Sequence, residues 1–204
     1  MEKPLALSPE KRAQIMGGAA RVFAADGYEG ASMAQIAGVA GVSKGTLYNY
    51  FDTKAALFTA YVQETCGHYL ETVFDRIDHE GDPAGVLREI GQRMVRMMLS
   101  DAGLAMYRVV IAEAAEFPDL ARTFFESGPA RSVRFMSAWL AEETHRGRLR
   151  VPDPEFAAEQ FFNLCQTRLA LRRRLQMMPE PTEAEVNRVV DASIAMFLGS
   201  YGVK

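Results

Sequence analysis

Apolar residues recur every three or four positions along almost the whole of this 204-residue chain, and no segment alternates with period two for long enough to make a strand. That periodicity confines the chain to an all-α fold. Ser8 is suited to cap a first helix, with Pro9 at its first position and Glu10 beside the positive end of the helix dipole. Its apolar stripe is Ile15, Ala19, Val22 and Phe23, and Gly27 supplies a left-handed terminator. Ser32 then caps a short helix to about Ala40, Gly41 breaks it, and Ser43 opens a third helix to about Phe51. Thr53 caps a long fourth helix whose stripe runs from Leu57 to Ile77 and ends near Asp78. Further helices are expected over 83–100, 102–115, 118–126, 129–147, 154–176 and 182–199. Four of these start at a proline, Pro83, Pro118, Pro129 or Pro154, and Pro179 and Pro181 separate the last two.

Charge and cysteine content remove several functional classes. The net charge is −3, but residues 1–54 carry six Lys/Arg against five Asp/Glu while the remainder carries 17 against 21. The slight basic excess at the N-terminal end leans towards a nucleic-acid contact there and is weak alone. Cys66 and Cys165 form no CxxC pair and are expected as reduced thiols. The N-terminus has no apolar targeting core. No stretch approaches the ~18–20 uncharged apolar residues of a membrane span. A cytoplasmic protein with no membrane partner is expected.

The most informative segment is SMAQIAGVAGVSKGTLYNYFDTKAALF, residues 32–58. Two short helices joined by a tight glycine turn make a helix-turn-helix, whose second helix is shaped to enter a major groove. Ala37 is small where the two helices cross, and Gly41 permits the turn. Val42, Leu47 and Phe51 point inward, which leaves Ser43, Lys44, Thr46 and Asn49 to solvent as a polar set suited to base edges and phosphates. Each residue also has an ordinary reading. Ser43 serves as an N-cap whether or not it meets DNA, Lys44 and Lys54 can be solvated lysines, and Tyr48 and Tyr50 can be half-buried aromatics. Gly45 inside a short helix costs ~1 kcal/mol against alanine, which is tolerable where a backbone must come close to a ligand such as DNA.

The stretch IAGVAGVSKGTLYNYFDTKAALF resembles the DNA-binding signature of the TetR family over its full length, and AARVFAADGYEGASM resembles the family's first helix and its connection to the second. The resemblance implies a DNA-binding domain over 1–53 and a ligand-sensing and dimerisation domain over 54–204. It implies phosphate binding by Ser32, a DNA surface made by Ser43, Lys44, Gly45 and Thr46, backbone and base contacts from Tyr48 and Asn49, and a phosphate clamp at Lys54. Tyr50 is expected at the same surface but stands where members often carry His, so its phosphate contact departs from the family pattern. Further on, YRVVIAEAAEFPDLARTFFESGPAR and DPEFAAEQF look like the AefR-like branch of TetR C-terminal domains.

Beyond residue 60 the chain is rich in Met and aromatic side chains. These serve as core in the ordinary reading and as the lining of an adaptable apolar pocket in the functional one. Met94, Met98, Tyr107, Phe124, Phe135, Trp139 and Phe162 are the apolar pocket candidates, with Glu113 to orient a small, lipophilic effector. Arg172, Arg173 and Arg174 read as a solvated helix end. The resemblance implies a homodimer through helices near 129–147 and 154–176, two recognition helices on palindromic operator DNA, and release by effector. An enzyme is the competing class. Glu142 and His145 have one half of a di-iron spacing, but no second Glu-x-x-His exists, and Cys66 and His68 fall on different helix faces. No hydrolase, metalloprotease or phosphate-loop motif is present, so neither catalysis nor a cofactor or metal is expected.

Overall fold

The computed structural model describes residues 8–74 and 80–203. Asp78, the expected end of the fourth helix, and His79 lie outside the described residues. Within them the chain is helical: α1 (Pro9–Gly30), α2 (Met33–Ala40), α3 (Lys44–Tyr50), α4 (Lys54–Phe74), α5 (Pro83–Leu99), α6 (Asp101–Glu113), α7 (Pro118–Ser127), α8 (Pro129–His145), α9 (Pro154–Cys165), α10 (Leu169–Arg174) and α11 (Glu183–Tyr201). The only extended pairing among the described residues is an isolated bridge between Leu149 and Gly202.

The starts follow local chemistry. Ser8, Ser32, Ser43, Asp82 and Asp153 each cap a helix with a side-chain oxygen, and Thr182 and Glu185 form a reciprocal capping box at α11. Two left-handed glycines interrupt the N-terminal helices. Gly27 (φ 73°) breaks α1 before its last turn, and Gly41 (φ 68°) closes α2 while its N–H bonds back to α2 carbonyls.

Packing groups the residues into two compact units. Of the described residues, the first takes those within 1–66 and 105–125 and the second those within 67–104 and 126–204. In the first, Ile15, Val22, Phe23, Ile36, Leu47, Leu57 and Phe58 share a core with Met106, Val109, Val110 and Leu120 of α6 and α7. Phe23 meets Phe58 edge-on at 4.8 Å, and Tyr28 meets Phe117 at 4.9 Å, spacings at which aromatic pairs attract. The helix-turn-helix is therefore cored together with the end of α6 and the start of α7. In the second unit Phe74, Ile90, Met94, Met136, Leu140, Phe161, Val190 and Phe197 form a separate core. Cys165 is fully buried there, and burial pushes its thiol up to about 12, which leaves it protonated and inert at neutral pH.

One expected helix is broken. Residues 154–176 form α9 and α10, separated by a turn in which Arg168 takes φ 68°. No proline or glycine marks the break. Tertiary contacts hold it: Arg173 donates from Nε to the carbonyl of Leu99 at 3.3 Å and pairs with Asp101, so α10 caps the end of α5. Arg173 is thus a half-buried structural arginine, and the reading of Arg172 to Arg174 as a solvated helix end is corrected for it, its side chain being 11 % exposed.

A close helix crossing is also invisible to periodicity. A Cβ added at Gly18 would lie 2.6 Å from the Cβ of Ala40, so α1 and α2 touch backbone to backbone. Gly18→Ala is expected to force these helices apart and destabilise the first unit by about 1–3 kcal/mol, the usual penalty of overpacking, read as a lowered urea midpoint with an unchanged m-value.

Candidate nucleic-acid interface

The recognition helix α3 has seven residues, too few to persist alone in water. It is held at both ends. Ser43 Oγ accepts from the N–H of Thr46 at 3.0 Å, and Phe51 N–H donates to the Leu47 carbonyl at 3.0 Å. Leu47 is fully buried and Phe51 nearly so, which anchors one side of the helix in the core. The other side is bare: Ser43, Lys44, Gly45, Tyr48 and Asn49 are exposed or half-buried, as is Thr46. Tyr48 keeps 49 % of its surface in solvent, a large aromatic with no packing reason to be there.

The hydroxyls have capacity to spare. Ser32 uses a lone pair to cap α2 by accepting from Gln35 N–H at 3.2 Å, which leaves its proton for an outside acceptor such as a phosphate oxygen. Ser43 and Thr46 share one proton between their oxygens at 2.8 Å, so one of the two hydroxyls retains a donor. Lys44 supplies the positive charge on α3.

Two residues expected at the DNA surface, Lys54 and Tyr50, are half-buried and bond within the protein. Lys54 Nζ donates to three carbonyls, those of Tyr28 at 2.7 Å, Ala31 at 3.0 Å and Glu29 at 3.1 Å, and lies 4.6 Å from the centre of the Tyr28 ring. An ammonium has three donors and all three are used. In this structure Lys54 ties the start of α4 to the segment joining α1 and α2. Tyr50 likewise donates its hydroxyl to the Ser8 carbonyl at 3.0 Å, which fixes α3 against the start of α1 and leaves that phenol no free proton for phosphate. Sequence reading missed Arg21, whose guanidinium donates to the Val39 carbonyl at 2.7 Å and ties α1 to the end of α2. It also missed Arg12, which pairs with Glu64 and lies 5.6 Å from the centre of the Phe51 ring. Neither contact leaves a local signature.

The expected pocket residues fall in both units. Met94, Trp139 and Phe162 are buried in the second core, Met98 packs against it, and Phe135 is 45 % exposed and stacks on Phe74 at 5.3 Å. Tyr107 and Phe124 are half-buried in the first unit. Glu113 is also there, and its Oε1 accepts from the backbone N–H of Glu29 at 3.3 Å. A cleft in the first unit, lined by Phe23, Phe58, Tyr61 and Met106 among others, contains none of the eight candidates and has no room for a water molecule. Glu142 and His145 are exposed on α8, and no group of three His, Cys, Asp or Glu side chains able to hold a metal occurs among the described residues.

Gly45 is open on the exposed side of α3. A Cβ there would meet only Ser43 Oγ, at 3.9 Å, so nothing inside the protein requires glycine. Gly45→Ala should raise folding stability by up to about 1 kcal/mol, the helix-propensity difference, and yet weaken binding to a selected DNA site by about tenfold or more, ~1.4 kcal/mol. Lys54→Met, which leaves three carbonyls without their donor, should lower stability by about 1–3 kcal/mol, measured in the same unfolding titrations.

Comparison with known proteins agrees with this geometry. The model of bacterial regulatory proteins of the tetR family matches residues 15–61, and that of the C-terminal domain of AefR-like transcriptional repressors matches residues 85–203. The HTH-type transcriptional regulator TtgR of Pseudomonas putida is 28% identical over 196 residues, which cover 92% of this chain and 91% of TtgR. The crystal structure of a TetR-family regulator from Mesorhizobium loti superposes with a TM-score of 0.87 at 29% identity, covering 95% of this chain and 98% of that one. The Flavonoid-responsive Regulator FrrA superposes with a TM-score of 0.82 at 29% identity, covering 97% and 100%. Among the described residues no helix is long and apolar enough to cross a membrane. The chain belongs to the TetR family, with an AefR-like C-terminal domain, and is a ligand-responsive transcriptional regulator that binds operator DNA as a dimer, not an enzyme.

Proposed function

We propose that this regulator reads a palindromic operator in the cytoplasm through Ser32, Ser43, Lys44, Gly45, Thr46, Tyr48 and Asn49, and that a small lipophilic effector releases it. The observation that carries the reading is the two-sided character of α3: Leu47 is locked into the core while a polar edge built around an open Gly45 faces out. In functional terms residues 1–53 do the reading and residues 54–204 do the sensing and pairing. Lys54 and Tyr50 shape the reading surface from behind.

One short helix carrying a single lysine contacts few phosphates, so a single head binds weakly, and a dimer spanning half-sites about 34–36 Å apart adds the two contributions. The helices near 129–147 and 154–176 are proposed as the pairing surface. Phe156 on α9 and Leu171 on α10 keep 55 % and 66 % of their surface exposed, which favours an apolar partner there. Met196 on α11, 63 % exposed, extends that surface to a helix outside the expected ranges. For the effector, Met94, Met98, Phe135, Trp139 and Phe162 offer a flexible apolar lining in the second unit. The likeness to FrrA makes flavonoids the first class to test.

The test begins with sites selected from a random duplex pool by the full-length protein. Binding should weaken steeply between 50 and 200 mM salt. Lys44→Ala should lower the log–log salt slope by about one for each phosphate that Lys44 neutralises, without changing the unfolding midpoint. A flavonoid panel should then dissociate the complex. A pool that yields no enriched sequence, or binding indifferent to salt, would sink the proposal.

A further inference from the structure

The segment from Gly27 to Ala31 decides where α2 begins, and so where Ser32 and, through the Gly41 turn, α3 are presented. It is held on two sides. On one, Lys54 of α4 binds the carbonyls of Tyr28, Glu29 and Ala31. On the other, Glu113, the last residue of α6, accepts the Glu29 N–H at 3.3 Å. Its carboxylate also lies within 3.8 Å of where a Cβ on Gly27 would sit. Four residues further on, Phe117 seats its ring against Tyr28 at 4.9 Å, while its own N–H bonds to the Glu113 carbonyl at 2.8 Å. The α6–α7 corner is thus a built support for the α1–α2 segment, with Glu113 as the side chain that reaches its backbone and Phe117 as the one that packs against it.

From this we infer that Glu113 is a positioning residue for operator binding: by accepting the Glu29 amide it fixes the α1–α2 segment and with it the start of α2. The inference rests on the DNA-reading function proposed above and adds the residue through which α6 sets the affinity of the reading surface. Lys54 cannot substitute for it, because an ammonium holds carbonyls and offers nothing to an amide N–H. Glu113 does not touch DNA in this scheme, and removing its charge is not what matters.

The test uses the full-length protein, the wild-type-selected duplex and two variants. Glu113→Gln keeps a carbonyl oxygen as acceptor and loses the charge, while Glu113→Ala loses both. Glu113→Ala should bind the duplex about fivefold or more weakly, the lower end of ordinary coupling between sites, with the salt slope and the melting midpoint of the DNA-free protein close to wild type. Glu113→Gln should restore wild-type affinity. Amide exchange adds a readout independent of DNA: the Glu29 N–H should exchange faster in Glu113→Ala and remain protected in Glu113→Gln. Equal affinity in all three proteins, or the same shift in both variants, would overturn the inference, the latter by showing that charge alone acts. Wild-type protein that selects no duplex defeats the DNA-reading proposal itself, whereas an unaltered Glu29 amide in Glu113→Ala defeats only the role of Glu113.

Discussion

Lys54 is the side chain on which the proposed reading surface depends. Gly27 interrupts α1, and the carbonyls of Tyr28, Glu29 and Ala31 converge on one point where helical partners are lacking. One ammonium supplies three donors and rests on the face of Tyr28, an aromatic that the same segment provides. A hydrogen bond to a charged donor contributes about 1.5–3 kcal/mol before the desolvation of the lysine is set against it, and here three act on four residues of chain. The result is a rigid corner from which α2 departs. Tyr50, bonded to Ser8, and Arg21, bonded to Val39, fix the other edges of the same small domain by the same device, a side-chain donor on a backbone carbonyl.

This scaffold explains how α3 can be nearly all surface. A seven-residue helix that buries Leu47 and rests on Phe51 gains little from its own apolar contacts. Its position comes instead from its caps and from the backbone contact of α1 with α2 at Gly18 and Ala40. Exposed residues on such a helix are released from packing duty. Tyr48 stays in water, Gly45 forgoes a methyl that would fit, and Ser43 caps the helix with one side of its oxygen. Each choice gives up a little stability at the surface and none in the core, a pattern expected of a surface selected for contact.

How much of this is legible in the sequence depends on how local its cause is. Caps at Ser8, Ser32 and Ser43, the turn at Gly41, and the burial of Ile15, Val22, Phe23 and Leu47 all follow from neighbours within one or two helical turns, and they can be read directly. The bonds that Lys54 and Tyr50 make within the protein are not legible locally, because their partners lie 23 to 42 residues away in the chain. Glu113 is 84 residues from the amide it holds. The break between α9 and α10 has a non-glycine residue at positive φ and an arginine reaching back to Leu99, neither of which has a periodic signature. The recognition helix is written in its own residues; what orients it is written elsewhere in the chain.

The division into two cores adds a constraint on sensing. The functional boundary proposed at residue 53 is not a packing boundary: α4 runs on from the first grouping into the second, and α6 starts in the second and ends in the first. A regulator needs a state change at the sensor to reach the reading surface, and a helix is stiff enough along its axis to carry one. Covalent continuity alone lets α4 transmit it, through Lys54 at its first turn. Under the same proposal Glu113 would offer a second route, since it lies at the opposite end of α6 from the residues grouped with the second core. The two routes hold the same five-residue segment by complementary chemistry, Lys54 by its carbonyls and Glu113 by its amide. Under the function proposed above, a displacement of either helix would strain that segment, and one hydrogen bond of about 1 kcal/mol is comparable to ordinary coupling between sites.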